Sequence, residues 1–101
     1  MVKVIHSKDE FDAATKQGKA IVDMNAVWCG PCNALRPIIE KIADEHPELS
    51  ILSVDVDEVP EAAEQYSVFS IPTIIVFEDG KESKRNVGYL PETGLKKFLG
   101  L

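Results

Sequence analysis

Cys29 and Cys32 are the only cysteines of this chain and its best candidates for chemistry. The segment Cys29-Gly30-Pro31-Cys32 follows an apolar stretch typical of a buried strand and leads into a helical pattern, whose first turn suits Pro31. A thiol at a helix start faces unpaired N–H groups and the positive end of the helix dipole, which stabilise the thiolate that attacks disulfides. We therefore predict a redox-active pair, with Cys29 as the nucleophile and Cys32, one turn inward, as the resolving thiol.

A half metal site, or two cysteines with no joint role, are the alternatives for this pair. A structural zinc site needs two further ligands, which His6 and His46 could supply, but His6 belongs to a predicted strand far from the cysteines. A secreted mini-protein would carry more cysteines, separated by longer loops. Redox chemistry is therefore the favoured interpretation of a pair between a strand and a helix.

Asp23 is the candidate group for proton transfer. It stands in the apolar run Ala20-Ile21-Val22-Asp23-Met24, where burial would raise the pKa of its carboxyl group. A carboxyl group of that kind could exchange a proton with Cys32 as general base and acid. A strand aspartate that faces solvent is the alternative, and the flanking Val22 and Met24 do not exclude it.

Composition sets the class of molecule to which these residues belong. The chain has 101 residues, 45% of them hydrophobic and 28% charged, which predicts one globular domain covering 1–101. The net charge of −6 argues against nucleic acid as a partner. No apolar run approaches the roughly 20 residues of a membrane span, and the N-terminus lacks a signal-peptide pattern. We expect a cytoplasmic monomer without a membrane partner.

Helical and extended patterns alternate along the chain in the order β-α-β-α-β-α-β-β-α. The predicted strands are Val2–His6, Ala20–Met24, Ser50–Val56, Thr73–Phe77 and Glu82–Val87. The predicted helices run from a Ser7 cap to about Lys16, from a first turn at Pro31 through the apolar stripe Leu35–Ile42, over Pro60–Tyr66 and over Pro91–Leu99. This order predicts an α/β fold: a mixed five-stranded sheet between two layers of helices.

Several motifs together resemble the thioredoxin family. Ala26-Val27-Trp28-Cys29-Gly30-Pro31-Cys32 looks like its active-site motif, and Asp23 stands where the family keeps a buried aspartate. The resemblance extends over nearly the whole chain through Pro37, the segment Ser70-Ile71-Pro72-Thr73, Gly80 and Val87-Gly88. It implies the thioredoxin fold, with three layers and four helices, and a reductant of protein disulfides that acts through a Cys29–Cys32 disulfide.

The resemblance also implies partners and a binding groove. The partners would be disulfide-containing client proteins and a thioredoxin reductase, which uses NADPH, so that the chain itself binds no cofactor. The Ile71–Pro72 bond would be cis and would dock an extended substrate. The groove beside Cys29 would be lined by Trp28, Gly30, Pro31, Ile71, Pro72, Val87 and Gly88. Ordinary core and turn packing is the alternative for these residues, and for Val87 in particular.

Five positions depart from the family pattern. Met24 and Asn25 replace two aromatic residues, and Asn33 replaces a frequent lysine after the second cysteine. Ser53 stands where a lysine usually lies beside the buried aspartate, and Tyr89 replaces a small residue after Gly88. Without that lysine, Asp23 should hold its proton to higher pH than in relatives that have it.

Two other functions fit the same residues. An oxidase or isomerase of an oxidising compartment is one, although the Gly30-Pro31 pair resembles reducing members and no signal peptide precedes it. A binding subunit with an idle dithiol is the other, although both cysteines and Asp23 are retained.

Overall fold

The computed structural model describes all residues from 1 to 101 and has the predicted order of elements. The strands are β1 (Val2–Ile5), β2 (Lys19–Asn25), β3 (Ser50–Asp55), β4 (Thr73–Glu78) and β5 (Lys81–Val87). The helices are α1 (Lys8–Thr15), α2 (Gly30–Glu45), α3 (Pro60–Gln65) and α4 (Glu92–Leu99). None of the helices is long and apolar enough to cross a membrane.

The five strands form one mixed sheet in the order β1-β3-β2-β4-β5. β3 pairs in parallel with both β1 and β2, β4 is antiparallel to β2, and β5 is antiparallel to β4. The predicted α/β class is confirmed. The two parallel neighbours β2 and β3 end at the same edge of the sheet, where side chains from the loops after them can meet.

Two apolar cores, one on each face of the sheet, produce the three layers. On one face α1 and α3 pack against the sheet around Phe11, Val22, Met24, Ala62 and Phe77. On the other face α2 and α4 pack around Ile21, Leu35, Ile39, Ile42, Ile74, Leu95 and Leu99. Burial of these side chains is the main favourable contribution to folding, at roughly 1.5–3 kcal/mol for each large one.

The central strand β2 divides its residues between the two cores. Every residue from 20 to 25 is buried, so the expectation of a strand covered on both faces is confirmed. Because side chains alternate along a strand, Val22 and Met24 face α1 and α3, whereas Ile21, Asp23 and Asn25 face α2 and α4. Asp23 is therefore a buried carboxyl group on the same side of the sheet as the helix that begins at the cysteines.

Local signals explain where elements start and turn. Ser7 caps α1, and its Oγ accepts the N–H of Glu10 at 3.2 Å. The Glu10 carboxylate accepts the backbone N–H of His6 at 3.0 Å, one residue before the position that a capping box predicts. Asp79 and Gly80 both have positive φ, 52° and 85°, which gives the two-residue hairpin turn between β4 and β5.

The bounds at Pro91 and at the end of the active-site strand differ from the predicted ones, whereas Pro37 lies inside a helix as predicted. Pro91 is the cap of α4 with an extended backbone (φ −66°, ψ 165°), so the helix starts at Glu92. Pro37 lies inside α2, which continues through it. β2 extends to Asn25, one residue beyond the predicted Met24, because β3 continues alongside it to Asp55.

Candidate active site

The two cysteines lie at the N-terminus of α2 and form a disulfide, with their Cα atoms 5.2 Å apart. Cys29 is the N-cap, and its Sγ accepts the backbone N–H of Cys32 at 3.2 Å. Cys32 is 1% exposed and Cys29 is 5% exposed, with Gly30 and Pro31 exposed between them. When the pair is reduced, a Cys29 thiolate in this position would accept the same N–H bond at the positive end of the helix dipole.

The segment before β4 packs against the cysteines. The Ile71–Pro72 peptide bond is cis, and the carbonyl oxygen of Ile71 lies 3.9 Å from Sγ of Cys29. The Pro72 carbonyl accepts the N–H of Gly88 at 2.8 Å, and Val87 is paired with Thr73 across β4 and β5. The Ile71 carbonyl thus lies beside Cys29, and the segment that carries it is hydrogen-bonded to the residue after β5, although these positions are far apart in the sequence.

Trp28 lies at the rim of this surface and is held by a residue that the sequence analysis missed. Its side chain is 69% exposed, and its Nε1 donates a hydrogen bond to Oδ2 of Asp57 at 2.7 Å. Asp57 also fixes its own loop, since its N–H donates to Oδ1 of Asp55 at 2.8 Å. Asp57 could have been found from its position in the sequence. An acidic residue just after β3 must lie near the loop that follows the parallel strand β2.

Other apolar side chains are exposed in the segments that carry the site. Val27 is 74% exposed directly before Trp28, and Phe69 is 92% exposed two residues before Ile71. Val87 and Tyr89 are also exposed. The sequence analysis did not single out Val27 and Phe69. Both could have been found as apolar residues outside any predicted strand or helix. Exposed apolar groups of this kind often mark interaction sites.

Asp23 is buried beneath α2, away from the exposed residues of the site. Its side chain is 4% exposed, and burial raises its pKa to about 6, although a hydrogen bond from Asn25 and the positive charge of Arg36 oppose the shift. Its Oδ2 accepts from Asn25, while its Oδ1 has no hydrogen-bond partner in the protein. Neither carboxyl oxygen is hydrogen-bonded to a cysteine in this oxidised form. The α2 side chains that share a cavity with Asp23 are Arg36, Ile39, Glu40 and Ile42.

Two of the departures from the family pattern, Asn25 and Ser53, lie beside this carboxyl group. Ser53 is the register partner of Asp23 across β2 and β3, as the sequence comparison implied. Asn25 is 4% exposed and donates from Nδ2 to Oγ of Ser53 at 2.9 Å. A cavity of about 140 Å³ is lined by Asp23, Ser53 and Arg36 together with Val2, Val4, Ile39 and Glu40. Arg36 was not predicted as a site residue. Its positive charge lowers the pKa of Asp23, which is the effect that a lysine at position 53 would have.

Asn33 and the two histidines have hydrogen-bond partners other than the two cysteines. Asn33 donates from Nδ2 to the carbonyl of Val27 at 3.1 Å and so ties the first turn of α2 to the loop before it. His6 and His46 contact Glu58 and Glu48 respectively, not the cysteines. No group of three or more His, Cys, Asp or Glu side chains is arranged to hold a metal ion.

Comparisons with known proteins agree with this geometry. The family model described as Thioredoxin matches residues 2–100. Thioredoxin of Chlamydia trachomatis is 46% identical over 99 residues, which covers 98% of this chain and 96% of that protein. Thioredoxin of Staphylococcus epidermidis is 42% identical over 100 residues, which covers 98% of this chain and 94% of that protein.

Solved structures of thioredoxins superpose closely on this fold. That of Plasmodium falciparum thioredoxin gives a TM-score of 0.90 at 32% identity, over 97% of this chain and 96% of that chain. That of Fasciola hepatica thioredoxin gives a TM-score of 0.88 at 37% identity over the same shares. The redox group is the Cys29–Cys32 pair, which is part of the chain itself. Since similarity in sequence and in fold extends over almost every residue, the chain belongs to the thioredoxin family of protein-disulfide oxidoreductases.

Proposed function

We propose that the reduced chain reduces disulfides of client proteins, with Cys29 as the nucleophile and Cys32 as the resolving thiol. The observation that carries this assignment is the position of Cys29 Sγ at the start of α2, where it accepts the N–H of Cys32 at 3.2 Å. That bond and the helix dipole favour negative charge on Cys29, and the thiolate is the form that attacks a disulfide. Cys32 lies deeper and has no comparable donor.

The reaction proceeds in two exchanges. The Cys29 thiolate attacks one client sulfur, which forms a Cys29–client disulfide, breaks the client S–S bond and releases a client thiolate that takes up a proton. Cys32 then loses its proton and attacks the Cys29 sulfur, so that the Cys29–Cys32 disulfide forms and the second client thiolate leaves and is protonated. The client gains two electrons and two protons, and the dithiol loses them.

Asp23 is the group proposed to take the proton from Cys32. It faces the α2 side of the sheet and has a free carboxyl oxygen, and its pKa of about 6 leaves most of it ionised at neutral pH. A base with a pKa near the working pH is the most effective kind of general base. Because no hydrogen bond joins Asp23 to Cys32 in the oxidised form, the proton would pass through one water or after a small movement of the reduced Cys32 side chain.

Clients would dock in extended form on the segment of Ile71. The proximity of its carbonyl to Cys29 Sγ, 3.9 Å, places a strand that pairs with Ile71 within reach of the nucleophile. Trp28, Gly30, Pro31, Pro72, Val87 and Gly88 would form the walls of this docking site. The exposed apolar side chains of Val27 and Phe69 extend it beyond the residues that the sequence predicted.

A thioredoxin reductase would regenerate the dithiol, with NADPH as the source of the two electrons. Its expected site of action is the cytoplasm, because thiols are kept reduced there and a reductant of this kind is useful only where it is recharged. Residues 1–101 would act as one domain, since all five strands belong to one sheet.

The test is a matched pair of cysteine variants. The reduced protein should reduce insulin in a coupled assay with NADPH and a thioredoxin reductase, and Cys29→Ser should abolish this activity. Cys32→Ser should accumulate covalent complexes with the substrate, seen by mass spectrometry without reductant, and Cys29→Ser should not. Complexes on Cys32 alone would reverse the two roles, and a strongly oxidising reduction potential would point to an oxidase or isomerase instead.

A further inference from the structure

The carboxamide of Asn25 is the polar group that contacts the Asp23 carboxyl group directly. Its Nδ2 lies 3.2 Å from Oδ2 of Asp23 and 3.1 Å from the backbone carbonyl oxygen of the same residue. A third acceptor, Oγ of Ser53, lies 2.9 Å away on the neighbouring strand. The two N–H groups of the amide therefore serve three acceptors: one points to Oγ of Ser53, and the other is shared between the carbonyl oxygen and Oδ2 of Asp23.

The two oxygens of Asp23 consequently have different surroundings. Oδ2 accepts from Asn25, whereas Oδ1 is buried without a hydrogen-bond partner in the protein. An oxygen that accepts an N–H bond is the better place for negative charge, and an unpaired buried oxygen is the better place for a proton. The arrangement therefore distinguishes two oxygens that would be equivalent in water.

We propose that Asn25 is a positioning residue for proton transfer: its amide holds Oδ2 of Asp23, so that Oδ1 is the atom that takes the Cys32 proton. The inference rests on the proposed role of Asp23 and deepens it. No hydrogen bond joins Asn25 to either sulfur, so Asn25 acts through the carboxyl group. Oγ of Ser53 fixes the direction of the amide.

Asn25 is the only side chain that is hydrogen-bonded to the Asp23 carboxyl group. From α2, Arg36 and Glu40 line the 140 Å³ cavity that Asp23 shares with Ser53 of β3 and with Val2 and Val4 of β1. The remaining side chains that face Asp23, from strands β2, β3 and β4 and from helices α2 and α4, are apolar: Ile21, Ile51, Ile74, Ile39, Ile42, Leu95 and Leu99. Arg36 acts on Asp23 at longer range, where its positive charge lowers the pKa of the carboxyl group.

Asn25→Leu tests the proposal, because leucine has the branched shape and the heavy-atom count of asparagine, with a larger volume, and has no N–H. Loss of the bond should raise the midpoint of the Asp23 titration, read from its carboxyl ¹³C shift in the reduced protein, by about one pH unit. The ionised fraction of Asp23 would then fall about tenfold at pH 5 and about twofold at pH 7. Stopped-flow reduction of an aromatic disulfide separates the attack of Cys29 from that of Cys32, and only the second step should slow.

Three further variants make the outcome decisive. In an Asp23→Asn background, Asn25→Leu should leave the rate of the second step unchanged, since the interaction it removes is already gone. Asn33→Leu, an exposed asparagine on α2, should leave the Asp23 titration unmoved. If Asn25→Leu does not fold, Asn25→Ala is measured in the same way and should shift the midpoint in the same direction.

The possible failures are distinguishable. An Asp23 midpoint unmoved by Asn25→Leu, or a second step slowed equally with and without Asp23, overturns the role of Asn25 and reduces it to packing. A second step that is unaffected by Asp23→Asn overturns the proposed function of Asp23 itself. The positioning role is supported if Asn25→Leu raises the Asp23 midpoint and slows the second step, and if the slowing disappears in the Asp23→Asn background.

Discussion

Nε1 of Trp28 donates a hydrogen bond to Oδ2 of Asp57 at 2.7 Å, which joins the residue before the nucleophile to the loop after β3. The indole ring is 69% exposed, so little packing holds it in place. The hydrogen bond to Asp57 is therefore the main interaction that fixes the ring beside the cysteines. Asp57 itself belongs to an ordered loop.

Asp57→Ala should weaken the binding of clients without impairing the chemistry. Loss of a hydrogen bond worth about 1 kcal/mol corresponds to roughly a fivefold rise in KM for insulin, with kcat nearly unchanged. Asp57→Asn keeps an acceptor oxygen and should retain most of the affinity. Trp28 is the only tryptophan, so its fluorescence anisotropy should fall in Asp57→Ala alone. Equal KM values for both variants and the parent would show that the bond does not order the ring for binding.

The stability of the fold should depend on pH through Asp23. Burial raises the pKa of Asp23 from 3.8 to about 6, so between those values the folded chain keeps a proton that the unfolded chain has lost. The free energy of unfolding therefore falls as pH rises from about 4 to 6, by about 3 kcal/mol at 1.36 kcal/mol per pH unit, and stays lower above that.

Asp23→Asn should remove this loss, because an amide is neutral at every pH in the range. Urea denaturation of the oxidised proteins at pH 4 and pH 8 measures the effect, and the variant should exceed the parent by up to about 3 kcal/mol at pH 8 only. The exposed Asp44→Asn serves as the matched control and should change neither value. A variant no more stable than the parent at pH 8 would mean that Asp23 is ionised at little cost.

Much of the fold is predictable because local and periodic signals agree. The β-branched run from Thr73 to Phe77 and the Asp79-Gly80 turn predict the hairpin, and both lie where expected. The bounds that differ depend on finer detail. Pro91 fits either the cap or the first turn of a helix by its φ angle, and only its ψ of 165° decides for the cap.

The site could be predicted only as far as its motifs extend. Spacing and resemblance indicate the cysteines, Asp23 and the Ile71-Pro72 segment, and the resemblance places Ser53 beside Asp23. Neither predicts which side chains of distant residues are hydrogen-bonded to one another. The bond from Asn25 to Ser53 joins positions 28 residues apart, and it exists because of the register of β2 and β3. The position of Arg36 also depends on tertiary packing, since its side chain lines the cavity of Asp23 from helix α2, which packs on that face of the sheet.

The charge near Asp23 should set the pH at which that residue titrates. Ser53→Lys places an ammonium group at the register partner of Asp23, which should lower the midpoint of its ¹³C titration by about one pH unit. Arg36→Met removes the cation that already lowers the pKa of Asp23 and should raise the midpoint. The pH profile of turnover should move with each midpoint.

Ser50→Lys is the control for these two variants, since it adds the same charge at the exposed start of β3, away from Asp23. The Asp23 midpoint in Ser50→Lys should equal that of the parent. If the Asp23 midpoint were the same in Ser53→Lys and Ser50→Lys, a charge at position 53 would not affect Asp23. The lack of a cation at Ser53 would then not explain the high pKa of Asp23.

Phe69 should contribute to client binding and not to folding. Its side chain is 92% exposed, so Phe69→Ser removes almost no buried surface and should leave the free energy of unfolding within about 0.5 kcal/mol of the parent. Partial burial of the ring against a docked client is worth about 1 kcal/mol, so KM for insulin should rise roughly fivefold. Leu101→Ser, which truncates an exposed apolar residue beyond the far end of α4, is the control and should leave KM unchanged. An unchanged KM for Phe69→Ser as well would confine the docking site to the residues nearer Cys29.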